Sequence, residues 1–183
     1  MKYIYILLAT LLVNINAFAQ KYWEQANVSS SYSVAQNYKV AILPVKMLDM
    51  ELQKEAQLKS TAAKKTEAEL MGVKNISLIP IDAVKTACQT YAFGGGDISY
   101  TNYEDIAKNV GADVICTIEL SKEKMTIKGK EIGTVMAYIQ LLDVSNNMMV
   151  LYTGKARAMN PISLQSETEL AIENALRRLK KVK

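Results

Sequence analysis

The residues that could make or break bonds in this chain are few. There is no histidine, which removes the usual general base, the usual proton shuttle and the commonest zinc ligand together. The cysteines are Cys88 and Cys116, and a thiol nucleophile needs a partner base that the missing histidines cannot supply. No Gly-x-Ser-x-Gly elbow occurs. Gly94-Gly95-Gly96-Asp97 has the glycine density of a phosphate cradle but lacks its Gly-Lys-Ser/Thr ending, so a mobile surface loop is the plainer expectation. Carboxylates remain. Glu104 with Asp105, and Glu67 with Glu69, are spaced so that the two members leave a helix in different directions, as solvated charges do. Asp113 and Asp143 sit where an aspartate organises a turn through its own backbone. None of these patterns calls for a catalytic residue, a metal or a cofactor.

Two features have a binding or structural use instead. Tyr91, Phe93, Tyr100 and Tyr103 fall in or beside the glycine loop, and aromatics on a loop supply contact area with a polar handle. Phe93, Gly94, Gly95, Gly96, Asp97 and Tyr100 are therefore the candidate partner-binding loop, against the alternative that Tyr91 and Tyr103 face the core and Phe93 plugs the loop down. Cys88 and Cys116 leave two readings open. They could pair in an oxidising compartment, closing a loop worth about 3 kcal/mol on the chain-entropy model. They could instead pack as small apolar residues, Cys88 on a helical stripe and Cys116 inside an apolar strand, which is the plainer expectation.

The start of the chain carries an address. Lys2, the apolar run Ile4 to Val13 and the small-x-small site Ala17-Phe18-Ala19 fit a cleavable export signal over residues 1–19. Thr10, Asn14 and Asn16 interrupt the run before it reaches the roughly 20 residues of a membrane span. The expected product is periplasmic, with no transmembrane segment and no cysteine at the cleavage site to accept a lipid. About 160 residues then remain, the size of one core. The formal charge of +4 is concentrated near the C-terminus in Arg177, Arg178, Lys180, Lys181 and Lys183. This suits a helix end better than a nucleic-acid surface.

Positioning elements follow from periodicity. Residues 20–37, rich in Ser, Asn and Gln, are expected to be a flexible lead or an irregular edge element, and residues 38–183 one α/β domain. Tyr38 to Val45 is a strand ended near Pro44, and Met50 to Met71 a helix stopped by Gly72, with Leu52, Ala56, Ala63 and Leu70 facing inward. Asn75 to Ile79 is a strand halted by Pro80. Asp82 caps a helix whose Val84, Ala87, Cys88 and Tyr91 share a face. Asn102 to Val110 is a helix with Asn102 and Asp105 as capping box and Gly111 as stop. Four strands follow, 113–120, 124–128, 131–142 and 148–158, turning at Gly129-Lys130 and Asn146-Asn147. A last helix begins near Ser163 or Ser166, with Ser166 and Glu169 as capping box and Leu170, Ala171, Ala175, Leu176 and Leu179 buried. The fold class is thus α/β (α+β): one mixed sheet, a parallel βαβ part and then an antiparallel meander, with helices packed on it.

Three stretches carry a family likeness: Val40-Ala41-Ile42-Leu43-Pro44-Val45, Val110-Gly111-Ala112-Asp113-Val114-Ile115-Cys116-Thr117-Ile118-Glu119-Leu120, and Val135 to Leu142 with Asp143-Val144-Ser145-Asn146-Asn147. In that order they resemble the CsgG/LpoB-like group of envelope proteins, which includes the periplasmic domain of the curli secretion channel and the lipoprotein activator of penicillin-binding proteins. The N-terminal domain of TolB has a similar fold. The resemblance spans about residues 38 to 180 and rests on structural motifs. It implies a non-enzymatic envelope accessory or protein-binding module whose partner is another envelope protein. A homo-oligomeric ring subunit of a curli-type apparatus is the alternative, and a carboxylate-dependent hydrolase a more distant one. The sequence departs from the group in lacking the anchoring cysteine. With 131–142 and 148–158 as the only long strands, a membrane pore is not expected.

Overall fold

The computed structural model describes residues 23–49, 52, 56–91, 98–127, 129–158 and 163–182. The strands are β1 (Trp23–Val28), β2 (Tyr38–Ile42), β3 (Lys46–Met47), β4 (Ile76–Leu78), β5 (Val114–Ile127), β6 (Lys130–Asp143) and β7 (Met149–Ala158). The helices are α1 (Ala56–Met71), α2 (Ile81–Gln89), α3 (Tyr103–Val110) and α4 (Leu164–Leu176), with 3-10 turns at Tyr100–Asn102 and Leu179–Lys181. One sheet runs β1-β7-β6-β5-β2-β4, and β3 pairs with β5 beyond the end of β2. Pairing is parallel among β2, β3, β4 and β5 and antiparallel from β5 through β6 and β7 to β1. This is the mixed sheet expected.

Strand alternation sends successive side chains to opposite faces, and it divides the core in two. Val40, Ile42, Val114, Cys116, Ile118 and Leu120 face one cluster together with α1 and α4. Ala41, Leu43 and Ile115 face a second cluster with Val84 and Cys88 of α2 and Ile106 and Ala107 of α3. Cys88 and Cys116 are both free, and these clusters lie on opposite faces of the sheet. The packed-core reading therefore describes them and the bridge does not.

Several local expectations are corrected. The two strands expected at 113–120 and 124–128 are one strand of 14 residues, β5, because β6 runs opposite it in unbroken register from Val114↔Asp143 to Ile127↔Lys130. Ser121, Lys122 and Glu123 look like an interruption only if a strand must be apolar. A paired strand with two wet faces has its backbone satisfied by its partner. Among the described residues β7 pairs with β6 as far as Val135↔Ala158, and three strands rather than two reach ten residues. Part of the expected lead, residues 23–28, forms edge strand β1 on β7. Asp82 lies in the first turn of α2 behind Pro80 rather than capping it. Asn102 has helical φ and ψ and makes no cap bond. At α4 the cap is Ser163, whose Oγ accepts from the N–H of Ser166 at 3.1 Å. On α1 the buried apolar positions are Leu58, Ala62 and Leu70, with Ala63 half-buried, and the polar Thr66 and Glu69 are buried beside them. Gly111 does stop α3, at φ 68° in the left-handed region.

Helix α4 lies unusually close to β7. A Cβ built on Gly154 would sit 1.9 Å from the carbonyl oxygen of Ala175. Ala156, Ala158 and Ala137 on the sheet and Ala171 and Ala175 on the helix are all buried around it. The Tyr152 hydroxyl donates to that same Ala175 carbonyl. A side chain at 154 must push backbone, which does not yield cheaply.

Two acids are buried, and for one of them, Glu69, the sequence spacing suggested solvent. Glu69 on α1 is held by Lys65 at 2.9 Å and by Lys180 beyond α4. Burial works to raise its pKa, but the two lysines outweigh burial and hold it below the usual range. Glu167, in the first turn of α4, accepts from the N–H of Val135 at 2.9 Å. There burial wins over the Val135 N–H and Lys122, and its pKa is raised. Among the described residues no helix is long and apolar enough to cross a membrane.

Two outcomes follow. Gly154→Ala should lower unfolding free energy by about 1–3 kcal/mol in urea titrations, with Gly133→Ala, whose Cβ would meet only a lysine chain end at 3.4 Å, near neutral. Because the folded state raises the Glu167 pKa, its contribution is lost as pH rises from the ordinary value of about 4.3 through the raised one. Glu167→Gln, which keeps an acceptor for Val135, should therefore lose less stability than the parent between pH 5 and pH 7, read from urea midpoints.

Candidate functional site

Pro44 and Pro80 shape the main concavity. β2 stops at Ile42, and the Leu43 N–H still reaches the Cys116 carbonyl at 2.9 Å. Pro44 then has no N–H to give, and pairing with β5 resumes only at Lys46. On the other side β4 ends opposite Val40, where Pro80 turns the chain into α2. The segment Leu43-Pro44-Val45 is thus left between strand ends. Helix α1, which follows β2 and β3, packs on one face of the sheet, and α2, which follows β4, packs on the other. Open α/β sheets bind ligands in such a place, outside the carboxyl ends of parallel strands where successive connections go to opposite faces.

Two clefts occupy this notch, sharing Leu43, Pro44, Val45, Lys59 and Lys85. The larger, about 440 Å³, lies between α1 and α2 and has Ile42, Ala63 and Ile81 in its wall, with Lys64 and Glu67. The smaller, about 300 Å³, reaches toward Thr117, Glu119, Cys88 and Tyr103. Lys46 stands 3.9 Å from Glu119, and Lys85 stands 3.8 Å from the exposed Asp82. Burial pushes the Cys88 thiol up to about 11 and that of Cys116 to about 12. Both are neutral thiols at pH 7, unsuited to nucleophilic attack.

Of the candidate binding loop, Phe93, Gly94, Gly95, Gly96 and Asp97 lie outside the described residues. Tyr100 is exposed, and its ring rests against Tyr103 with centroids 5.3 Å apart, tilted by 56°. Tyr91 and Tyr103 are partly buried against the α2/α3 cluster. Tyr103 joins the loop's flank to the smaller cleft.

Among the described residues the carboxylates do not converge. Glu119 lines one cleft and Glu67 the other. Glu104 pairs with Lys108 at 2.6 Å on the exposed side of α3. Asp143 accepts from the Ser145 N–H at 3.0 Å, the turn expected of it. Asp113 instead accepts from the Lys39 N–H at 3.0 Å across to β2. Among the described residues no three His, Cys, Asp or Glu side chains are grouped to hold a metal. Sequence reasoning missed Lys59, Lys64 and Lys85, since solvent-facing lysines on helices carry no signal until two helices are placed beside one strand end.

No family model and no curated protein matches the sequence. Solved structures do match the fold. PelC from Paraburkholderia phytofirmans, in a dodecamer, superposes with a TM-score of 0.52 at 16% identity, covering 87% of this chain and 97% of that one. The C-terminal domain of LpoB from Salmonella enterica superposes with a TM-score of 0.50 at 14% identity, covering 72% and 87%. The chain therefore shares its fold with LpoB-like domains.

The thiols give a direct test. Native protein should react negligibly with a thiol reagent at pH 7.5, and denatured protein without reductant should release two thiols per chain. Fewer than two would mean that Cys88 and Cys116 are joined.

Proposed function

We propose that this protein is an exported, non-enzymatic accessory module of the bacterial envelope, of the CsgG/LpoB-like kind, which works by binding another envelope protein. The export signal over residues 1–19 supports the compartment. The likeness to the LpoB C-terminal domain supports the fold on which such a module is built. The single observation that carries the binding reading is Tyr100, the one aromatic among the exposed large apolar residues described, braced by Tyr103 at the flank of the 92–97 loop. A braced, exposed tyrosine loses little freedom when a partner covers it, as interface anchors require. Binding rather than turnover also suits clefts that, among the described residues, have one carboxylate each and a thiol kept protonated.

A ring subunit is the second reading, favoured by the dodecamer in which PelC is seen. The domain beginning at Gln20 should be the species recovered from the periplasm, and chemical cross-linking in cells should join it to a defined envelope protein. Tyr100→Ala and Phe93→Ala should each reduce that product several-fold, while unchanged cross-linking would remove the loop from the interface. Light scattering of the purified domain separates the readings, since a monomer at high concentration rejects the ring.

A further inference from the structure

The larger cleft beside Pro44 has a use that the loop-binding reading does not need. We propose that it binds a small amphiphilic anion, its apolar body lying along Leu43, Pro44 and Ala63 and its head between the ammonium groups of Lys59 and Lys85.

The wall and the rim differ in chemistry. Ile42, Leu43, Pro44, Val45, Ala63 and Ile81 line it with apolar side chains, whereas Lys59, Lys64 and Lys85 contribute basic ones and, among the described residues, Glu67 the carboxylate. At about 440 Å³ the space falls in the roughly 300–1,000 Å³ range of small-molecule sites, which are mostly apolar with a few placed polar groups. The lysines come from two helices held by different faces of the sheet: Lys59 and Lys64 from α1, and Lys85 from α2. Their convergence is a product of the fold. Asp82, the carboxylate at 3.8 Å from Lys85, is almost fully exposed and is a solvent-screened competitor for it. Lys59 and Lys85 line both clefts, so they stand at the divide, where one anionic head can meet both. A neutral apolar ligand would make no use of the three cations, and a bare anion would leave the apolar wall wet. The chemistry selected is therefore an alkyl or similar chain with a phosphate or carboxylate end, from a free metabolite or from a lipid.

The test uses the chain from Gln20 onward and monomeric octyl phosphate, followed by isothermal titration and amide chemical shifts. Octyl phosphate should bind at least tenfold tighter than either inorganic phosphate or octanol, and its affinity should fall as salt is raised. Lys59→Glu and Lys85→Glu should each weaken it at least tenfold with the circular dichroism spectrum unchanged, while Lys74→Glu, at the opposite end of the parallel strands, should bind as the parent does. Binding of phosphatidylglycerol vesicles in competition with octyl phosphate would support the same site and assign the head to a lipid. Three results would each overturn the proposal: octyl phosphate no tighter than inorganic phosphate, parental affinity in both cleft variants, or vesicle binding with no response to octyl phosphate.

Discussion

The contact between the backbone of α4 and the face of β7 sets the geometry of the antiparallel half. Gly154 lets the Ala175 carbonyl approach where any side chain would collide, and the Tyr152 hydroxyl ties that carbonyl down. The alanines around this point act as a flat surface, since residues without long side chains let two backbones share one thin layer of packing. Once α4 is seated, Leu176 and Leu179 are buried. Lys180 then reaches Glu69, which joins α4's trailing turn to α1. A single close approach thereby fixes both helices of that face.

The same layering explains the two buried acids. Glu69 has two lysines and so stays ionised at neutral pH despite burial. Glu167 satisfies the Val135 N–H, but that bond and the Lys122 charge do not offset its burial, which dominates. One acid strengthens the helix pair as pH rises, and the other opposes it. Both sit beneath α1 or α4, away from the notch at Pro44, which is why neither belongs to the clefts.

The parallel half is arranged differently. Short strands stopped by prolines leave room, and helices sent to opposite faces frame it. The notch exists because β2 is interrupted at Pro44 while β4 has already turned away at Pro80. Stability and recognition are thus separated along the sheet: tight small-residue packing at one side, and an unfilled end with converging lysines at the other.

Much of this was legible in the order of residues. The apolar runs in Val40 to Leu43 and Val114 to Leu120 gave buried strands, Gly111 gave a helix stop, and Leu170 to Leu179 gave the last helix's inner stripe, because apolar patterning and left-handed backbone are local properties. Asp113 could be seen as a backbone organiser, but not that Lys39, 74 positions away, was the backbone it bonds. The continuity of β5 was hidden since pairing with β6, rather than its own composition, holds Ser121 to Glu123 extended. Nor could spacing separate Glu69, buried between two lysines, from Glu67 at a cleft mouth. The sequence by itself determined where the main helices and the parallel strands lie, because each is encoded within a few residues. Only the tertiary structure decided which polar groups meet, because Lys59, Lys85 and Pro44 become neighbours through the placement of helices on opposite faces of one sheet.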